Sequence, residues 1–160
     1  MEIKIIPALD RQNEVRMLFT EYTEMLIEGD PEVKEYLGIQ NYDDEIWHLE
    51  EKYGGPDGRL YLAYYGEELA GCVGLRKMDE EKCELKRLYV RPVFRGKHVG
   101  SALVDQLKSD AREIGYSRML LDTLTFLAPA IKLYEKLGFY EIPKYNNSPL
   151  EISVYMQMDL

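Results

Sequence analysis

Cysteine is scarce in this chain, with only Cys72 and Cys83 among 160 residues. Two thiols cannot build a disulfide framework, and no Cys/His grouping has the spacing of zinc ligands, so no metal is expected. Their apolar flanks predict two buried, reduced thiols. Long apolar runs are also missing. No stretch approaches the roughly 20 residues that cross a bilayer, so no membrane segment is expected. The opening Met1-Glu2-Ile3-Lys4-Ile5-Ile6 lacks the apolar length and cleavage site of a signal peptide, which makes a cytoplasmic location the expectation. No repeat, low-complexity tract or Pro/Gly/Ser linker divides the chain. Residues 1–160 are therefore expected to form one domain with one core. Positive charge is in the minority: 20 Lys and Arg face 29 Asp and Glu, a net charge of −9. Such a field disfavours nucleic acid and leans weakly toward a cationic small-molecule partner.

What is present reads as an α+β domain. Glu2 to Ile6 alternates as a short strand. Asp10 is placed to cap a helix over Glu14 to Ile27, with Val15, Leu18, Phe19, Tyr22, Met25 and Leu26 at helical spacing. Gly29-Asp30-Pro31 stops it. Further helix is expected through Tyr36 and Leu37, then from Asp43 to Tyr53, with Trp47 on its apolar face and His48 on a solvated one. Gly54 to Gly58 is a turn. Three strands follow, Arg59 to Tyr65, Leu69 to Lys77 and Cys83 to Val90, as an antiparallel meander. Ser101 to Ile114 is an amphipathic helix, and Met119 to Leu124 an almost wholly apolar strand suited to a sheet interior. Ala128 to Leu137 is another helix and Ile152 to Met158 a closing strand. This order predicts a mixed, mostly antiparallel central sheet flanked by helices.

Chemistry is expected in the loop Arg91-Pro92-Val93-Phe94-Arg95-Gly96-Lys97-His98-Val99-Gly100-Ser101, between a strand and a helix start. A helix N-terminus offers unpaired N–H groups and about half a positive charge, glycines allow close approach, and Arg95 and Lys97 add charge. The loop reads as an anion site suited to phosphate. It contains no Gly-Lys-Ser/Thr, so it is not a P-loop, and its glycine spacing is not that of a dinucleotide fold.

Leu88-Tyr89-Val90-Arg91-Pro92, followed by Arg95-Gly96-Lys97-His98-Val99-Gly100, resembles motif A of the GNAT N-acetyltransferases. Ala130, Tyr134, Gly138 and Phe139 resemble their motif B. Both occur in order on the expected elements, and the resemblance spans nearly the whole chain. It implies the GNAT fold, acetyl-CoA as co-substrate, and direct attack by a primary amine without a covalent enzyme intermediate. It further implies that backbone around Leu88, Tyr89 and Val90 binds the pantetheine arm. An N–H near Leu88 would polarise the thioester carbonyl, and N–H groups from Arg95 to Ser101 would cradle the pyrophosphate. His98 stands where the family usually has a glycine; if the backbone needs a positive φ there, His is among the more tolerant non-glycine residues. Leu127 replaces a common asparagine.

By the same resemblance Tyr134 is the general acid on the departing sulfur. Glu84 is the candidate base, with burial between Cys83 and Leu85 expected to raise its pKa. Asp122, a charge within an apolar strand, and Tyr22 and Tyr145 are the candidate acceptor contacts, with Glu21 beside Tyr22. The acceptor is a small-molecule or peptide amine. A homodimer through sheet edges is compatible with the pattern. The alternative reading is a coenzyme-binding sensor or interaction module without catalysis.

Overall fold

The protein is described here by a computed structural model covering residues 2–160. Seven strands form one sheet: β1 (Ile3–Pro7), β2 (Arg59–Tyr65), β3 (Glu68–Lys77), β4 (Lys82–Val90), β5 (Arg118–Leu124), β6 (Tyr140–Ile142) and β7 (Ser153–Asp159). Their order across the sheet is β1-β2-β3-β4-β5-β7-β6. Every neighbouring pair is antiparallel except β4 with β5. The α+β class and the mixed sheet expected from the sequence are those observed.

Helices α1 (Gln12–Gly29), α2 (Val33–Ile39), α3 (Tyr42–Glu45) and α4 (Leu49–Tyr53) cover one face. Helices α5 (Val99–Ile114) and α6 (Ala128–Lys136) cover the other. Alternation assigns the side chains. Cys83 and Leu85 of β4 and Met119 and Leu121 of β5 pack under α5, while Leu124 packs under α1. Cys72 and Cys83 are buried free thiols, as their flanks predict.

Three sequence expectations change. Asp10 does not cap α1; the amide of Arg11 turns back to the Ala8 carbonyl, and the helix starts at Gln12 without a side-chain cap. The helix expected over Asp43 to Tyr53 is broken at Ile46–His48, which turns Trp47 out to 63% exposure under the Arg16 guanidinium. The break lets Glu45, Lys52 and Tyr53 converge on one point beneath the sheet. Finally, the short edge strand β6 had not been read in the sequence; its three residues are too few to show a period.

Two irregularities in β4 shape everything near it. Gly74 of β3 faces Lys86, but Cys72 faces Tyr89, so one residue of β3 opposes both Arg87 and Leu88. This is a β-bulge, and Arg87 takes a left-handed φ of 59°. The extra residue inverts the alternation. Lys86 and Arg87, adjacent in sequence, both project toward α1–α4, whereas Leu88 and Val90 turn to the α5 core. The second irregularity is pairing with β5, which covers only Lys82–Glu84 against Arg118–Leu120. Beyond Glu84 the strands part.

Helix α4 is fixed to the sheet by a missing side chain. A Cβ on Gly74 would lie 2.5 Å from Cε1 of Tyr53, whose ring is fully buried and whose hydroxyl donates to Glu45 Oε2 at 2.8 Å. The ring has nowhere to move. Gly74→Ala is therefore expected to lower unfolding stability by about 1–3 kcal/mol, the range for overpacking, measured by urea denaturation.

Candidate active site

The gap between β4 and β5 contains a cavity of about 40 Å³. Lys86, Arg87 and Leu88 line it from β4, Asp122 and Leu124 from β5, Tyr22 from α1, Tyr36 and Gln40 from the α2 region, and Leu127 and Tyr134 from the α6 side. Of the residues expected from the sequence, Leu88, Tyr22, Asp122 and Tyr134 meet here. Glu84 and Tyr145 sit beside it, joined to each other by a bond from the Tyr145 hydroxyl to Glu84 Oε2 at 2.5 Å. The Tyr89 side chain turns instead to α1, 5.8 Å from the Tyr22 ring, and Val90 packs under α5. Glu21 binds Arg91 at 2.7 Å, which ties α1 to the end of β4.

Tyr134 is 6% exposed, and its ring meets Phe139 edge-on at 5.6 Å. Burial, with Tyr22 and Asp122 adding to it, pushes its phenol well above the ordinary range, so it keeps its proton at any physiological pH. Asp122 Oδ2 accepts from the Tyr36 hydroxyl and from Asn146 Nδ2 at 3.2 Å. No described residue bonds to its Oδ1.

Glu84 differs from expectation. It is 2% exposed, and burial does push its pKa up, but Lys86 and Arg76 outweigh that effect and the pKa is lowered. Both oxygens are taken, Oε1 by Arg76 Nε at 2.6 Å and Oε2 by Tyr145. Sequence shows the apolar flanks of a strand residue; it does not show a cation arriving from the neighbouring strand.

The sequence reading assigns no site role to Arg87, Lys86, Tyr36 or Glu45. The available signal was a pair of adjacent cations inside an otherwise apolar strand, which regular alternation cannot bury on one face. Arg87 is 7% exposed and donates Nε to Glu45 Oε2 at 3.0 Å and Nη2 to Oε1 at 2.9 Å; Nη2 also donates to Gln40 at 2.7 Å. Lys52 adds a bond to Glu45 Oε1 at 2.6 Å. Burial raises the Glu45 pKa, yet Arg87 and Lys52 more than offset it and hold it at about 2.

The loop after β4 is built to receive an anion. Val99 begins α5 without any side-chain cap, after His98 in the left-handed region at φ 67° and Gly96 at φ 79°. His98 is among the non-glycine residues that best tolerate this conformation. The N–H groups of Gly96, Lys97 and His98 find no acceptor among the described residues, and those of the first helical turn have none within the helix. Arg95 is the exception, because its N–H already donates to the Pro92 carbonyl at 3.2 Å. The run of free donors thus starts one residue later than expected. Gly100 serves packing: a Cβ there would sit 3.0 Å from Leu133 of α6.

A strand parted from its parallel neighbour, running into an uncapped helix start, invites comparison with known proteins. Residues 16–139 match the sequence model described as the Acetyltransferase (GNAT) family. The chain belongs to that family. Relatives of this GNAT chain include an uncharacterized N-acetyltransferase of Schizosaccharomyces pombe, 40% identical over 78% of this chain and 77% of that one. Another, from Dictyostelium discoideum, is 32% identical over 93% of this chain and 94% of its own. Among solved structures, the PaiA N-acetyltransferase of Thermoplasma acidophilum in complex with coenzyme A superposes over 100% of both chains, with a TM-score of 0.77 at 19% identity, a likeness of fold. A GNAT family acetyltransferase of Elizabethkingia anophelis with acetyl-CoA bound is 25% identical, with a TM-score of 0.56 over 65% of this chain and 77% of that one. No helix among the described residues is long and apolar enough to cross a membrane.

In this GNAT chain the Glu45–Arg87 pair sets a pH limit. Glu45 has a folded pKa near 2 against about 4.3 when unfolded. Its contribution is complete above the unfolded value and disappears as pH falls toward 2. Glu45→Ala leaves Arg87 buried without its counter-charge and is expected to cost about 3–5 kcal/mol at pH 7 in urea unfolding. The deficit relative to wild type should shrink between pH 4.5 and 2.

Proposed function

We propose that this chain is an acetyl-CoA-dependent N-acetyltransferase acting on a primary amine by direct attack. One observation carries the reading: β4 and β5 part beside an uncapped α5, and the gap holds Asp122 and Tyr134 together. The coenzyme's pyrophosphate suits the free N–H groups from Gly96 to Ser101, the positive end of α5, and the side chains of Arg95, Lys97 and His98. Its pantetheine arm suits the β4 edge around Leu88 to Val90, which pairs with no strand on the β5 side. The 25%-identical structure with acetyl-CoA bound supports this assignment.

The bound thioester supplies an activated acetyl group. Asp122, which lines the cavity and whose Oδ1 takes no hydrogen bond among the described residues, receives the acceptor's ammonium and orients it. The ammonium loses one proton to solvent and the neutral amine attacks, forming the N–C bond as the C–S bond breaks; the acylated nitrogen then releases its second proton to solvent. An N–H of the β4 edge near Leu88 faces the carbonyl oxygen as charge develops on it. Tyr134, held protonated by burial, gives its proton to the departing sulfur and recovers one from solvent. Glu84, with both oxygens bonded, does not serve as base in this scheme; it fixes Arg76 and Tyr145 around the gap. Tyr22 forms the wall of the acceptor side.

Free-thiol release from acetyl-CoA, measured against a panel of amines, tests the proposal. Wild type should turn over on at least one amine class. Tyr134→Phe should lower kcat about 10²-fold or more, the scale of general-acid catalysis, while coenzyme binding by calorimetry stays close to wild type. Unchanged kcat in Tyr134→Phe would retire it as the acid. Coenzyme binding without thiol release on any amine would sink the transferase reading.

A further inference from the structure

Lys86 is a buried cation without a partner of its own. It is 6% exposed, lines the cavity, and makes no hydrogen bond with any described residue. The one carboxylate within ion-pairing distance is Glu84, whose Oε1 lies 3.8 Å away and is already bonded to Arg76. Asp122 lines the same cavity, its Oδ1 takes no hydrogen bond among the described residues, and no ion pair joins Lys86 to Asp122. Two opposite charges therefore face one small space without satisfying each other.

The surrounding charges sharpen the point. Arg87 and Lys52 are bonded to Glu45, and Arg76 to Glu84, which leaves Lys86 as the buried cation whose carboxylate neighbour is already taken. A buried cation without a hydrogen-bonded counter-charge is costly until something neutralises it. The pantetheine arm cannot do so, because its amides are neutral. A polyamine or other dicationic acceptor would bring further positive charge beside Lys86.

We propose that the acceptor is a free amino acid, its amino group received by Asp122 and its carboxylate by Lys86. The inference rests on the transferase reading above and specifies its acceptor. Lys86 is a specificity-determining residue here, since it meets a part of the acceptor that does not react. A cavity of about 40 Å³ is too small for a whole amino acid, so only the ammonium and carboxylate groups reach into it and the side chain stays outside. Burial and the neighbouring Arg87 hold the Lys86 pKa near 8, with Glu84 and Asp122 acting in the opposite sense; a bound carboxylate would raise it.

The test pairs each of the twenty protein amino acids with its own carboxamide, and adds spermidine, in thiol-release assays with acetyl-CoA. At least one amino acid should exceed its carboxamide in kcat/KM by about 10–100-fold, the range for a charge-assisted hydrogen bond. In Lys86→Gln that ratio should fall toward one, and Lys86→Arg should retain most of it. Coenzyme binding by each variant verifies folding. Carboxamides or spermidine used as well as free amino acids by wild type would overturn the inference while leaving the transferase reading intact. A ratio that survives Lys86→Gln would overturn it too. Calorimetry on the coenzyme complex separates the remaining case. An amino acid that binds wild type but not Lys86→Gln, without thiol release, supports the Lys86 assignment and removes the transferase reading.

Discussion

Arg87 of β4 and Glu45 of α3 hold each other in a place neither could occupy alone. Arg87 sits at positive φ, a conformation costing a non-glycine residue about 1–3 kcal/mol, and its guanidinium is almost fully buried. Both costs are met by the two-pronged bond to Glu45, whose own burial is offset by Arg87, Lys52 and Tyr53. The pair fixes the bulge, and the bulge fixes which side chains of β4 face the cavity. Without the extra residue, Leu88 would follow Lys86 on the α1–α4 face and Arg87 would point into the α5 core.

The same bond explains why the short helices lie where they do. Glu45, Lys52 and Tyr53 come from α3 and α4, two turns of helix too short to be stable alone. Their position derives from the charge they serve and from the absence of a side chain at Gly74. From there the wall of the gap extends through Gln40 and Tyr36 to Asp122 and Asn146. Residues distant in sequence thus share one polar network, anchored on a strand and finished by loops.

The parts of this architecture legible in the sequence are those governed by short-range rules. Strands β2, β3, β4 and β5, the amphipathic α1 and α5, and the loop from Arg95 to Ser101 follow from alternation, helical spacing and glycine placement. Tyr134, Asp122, Tyr22 and Leu88 converge on one cavity because each had been placed on the right element. What escaped depends on partners far along the chain. The pKa of Glu84 is decided by Arg76 from β3 and by Lys86, not by its flanking apolar residues. Trp47 turns outward because Glu45 must turn inward. Lys86 and Arg87 share a face only because a bulge intervenes.

The brevity of the β4–β5 pairing has a mechanical side. Three residues on each strand are all that joins β1–β4, by backbone ladder, to the trio of β5, β7 and β6. The sheet is therefore two stiff plates meeting along a short seam, with α5 and α6 bearing on the join from one side. A molecule lodged in the gap touches both plates at once. Filling it supplies the cross-strand contacts that the backbone withholds there, so occupancy and rigidity rise together, and the free energy of stiffening becomes part of the affinity for whatever binds second.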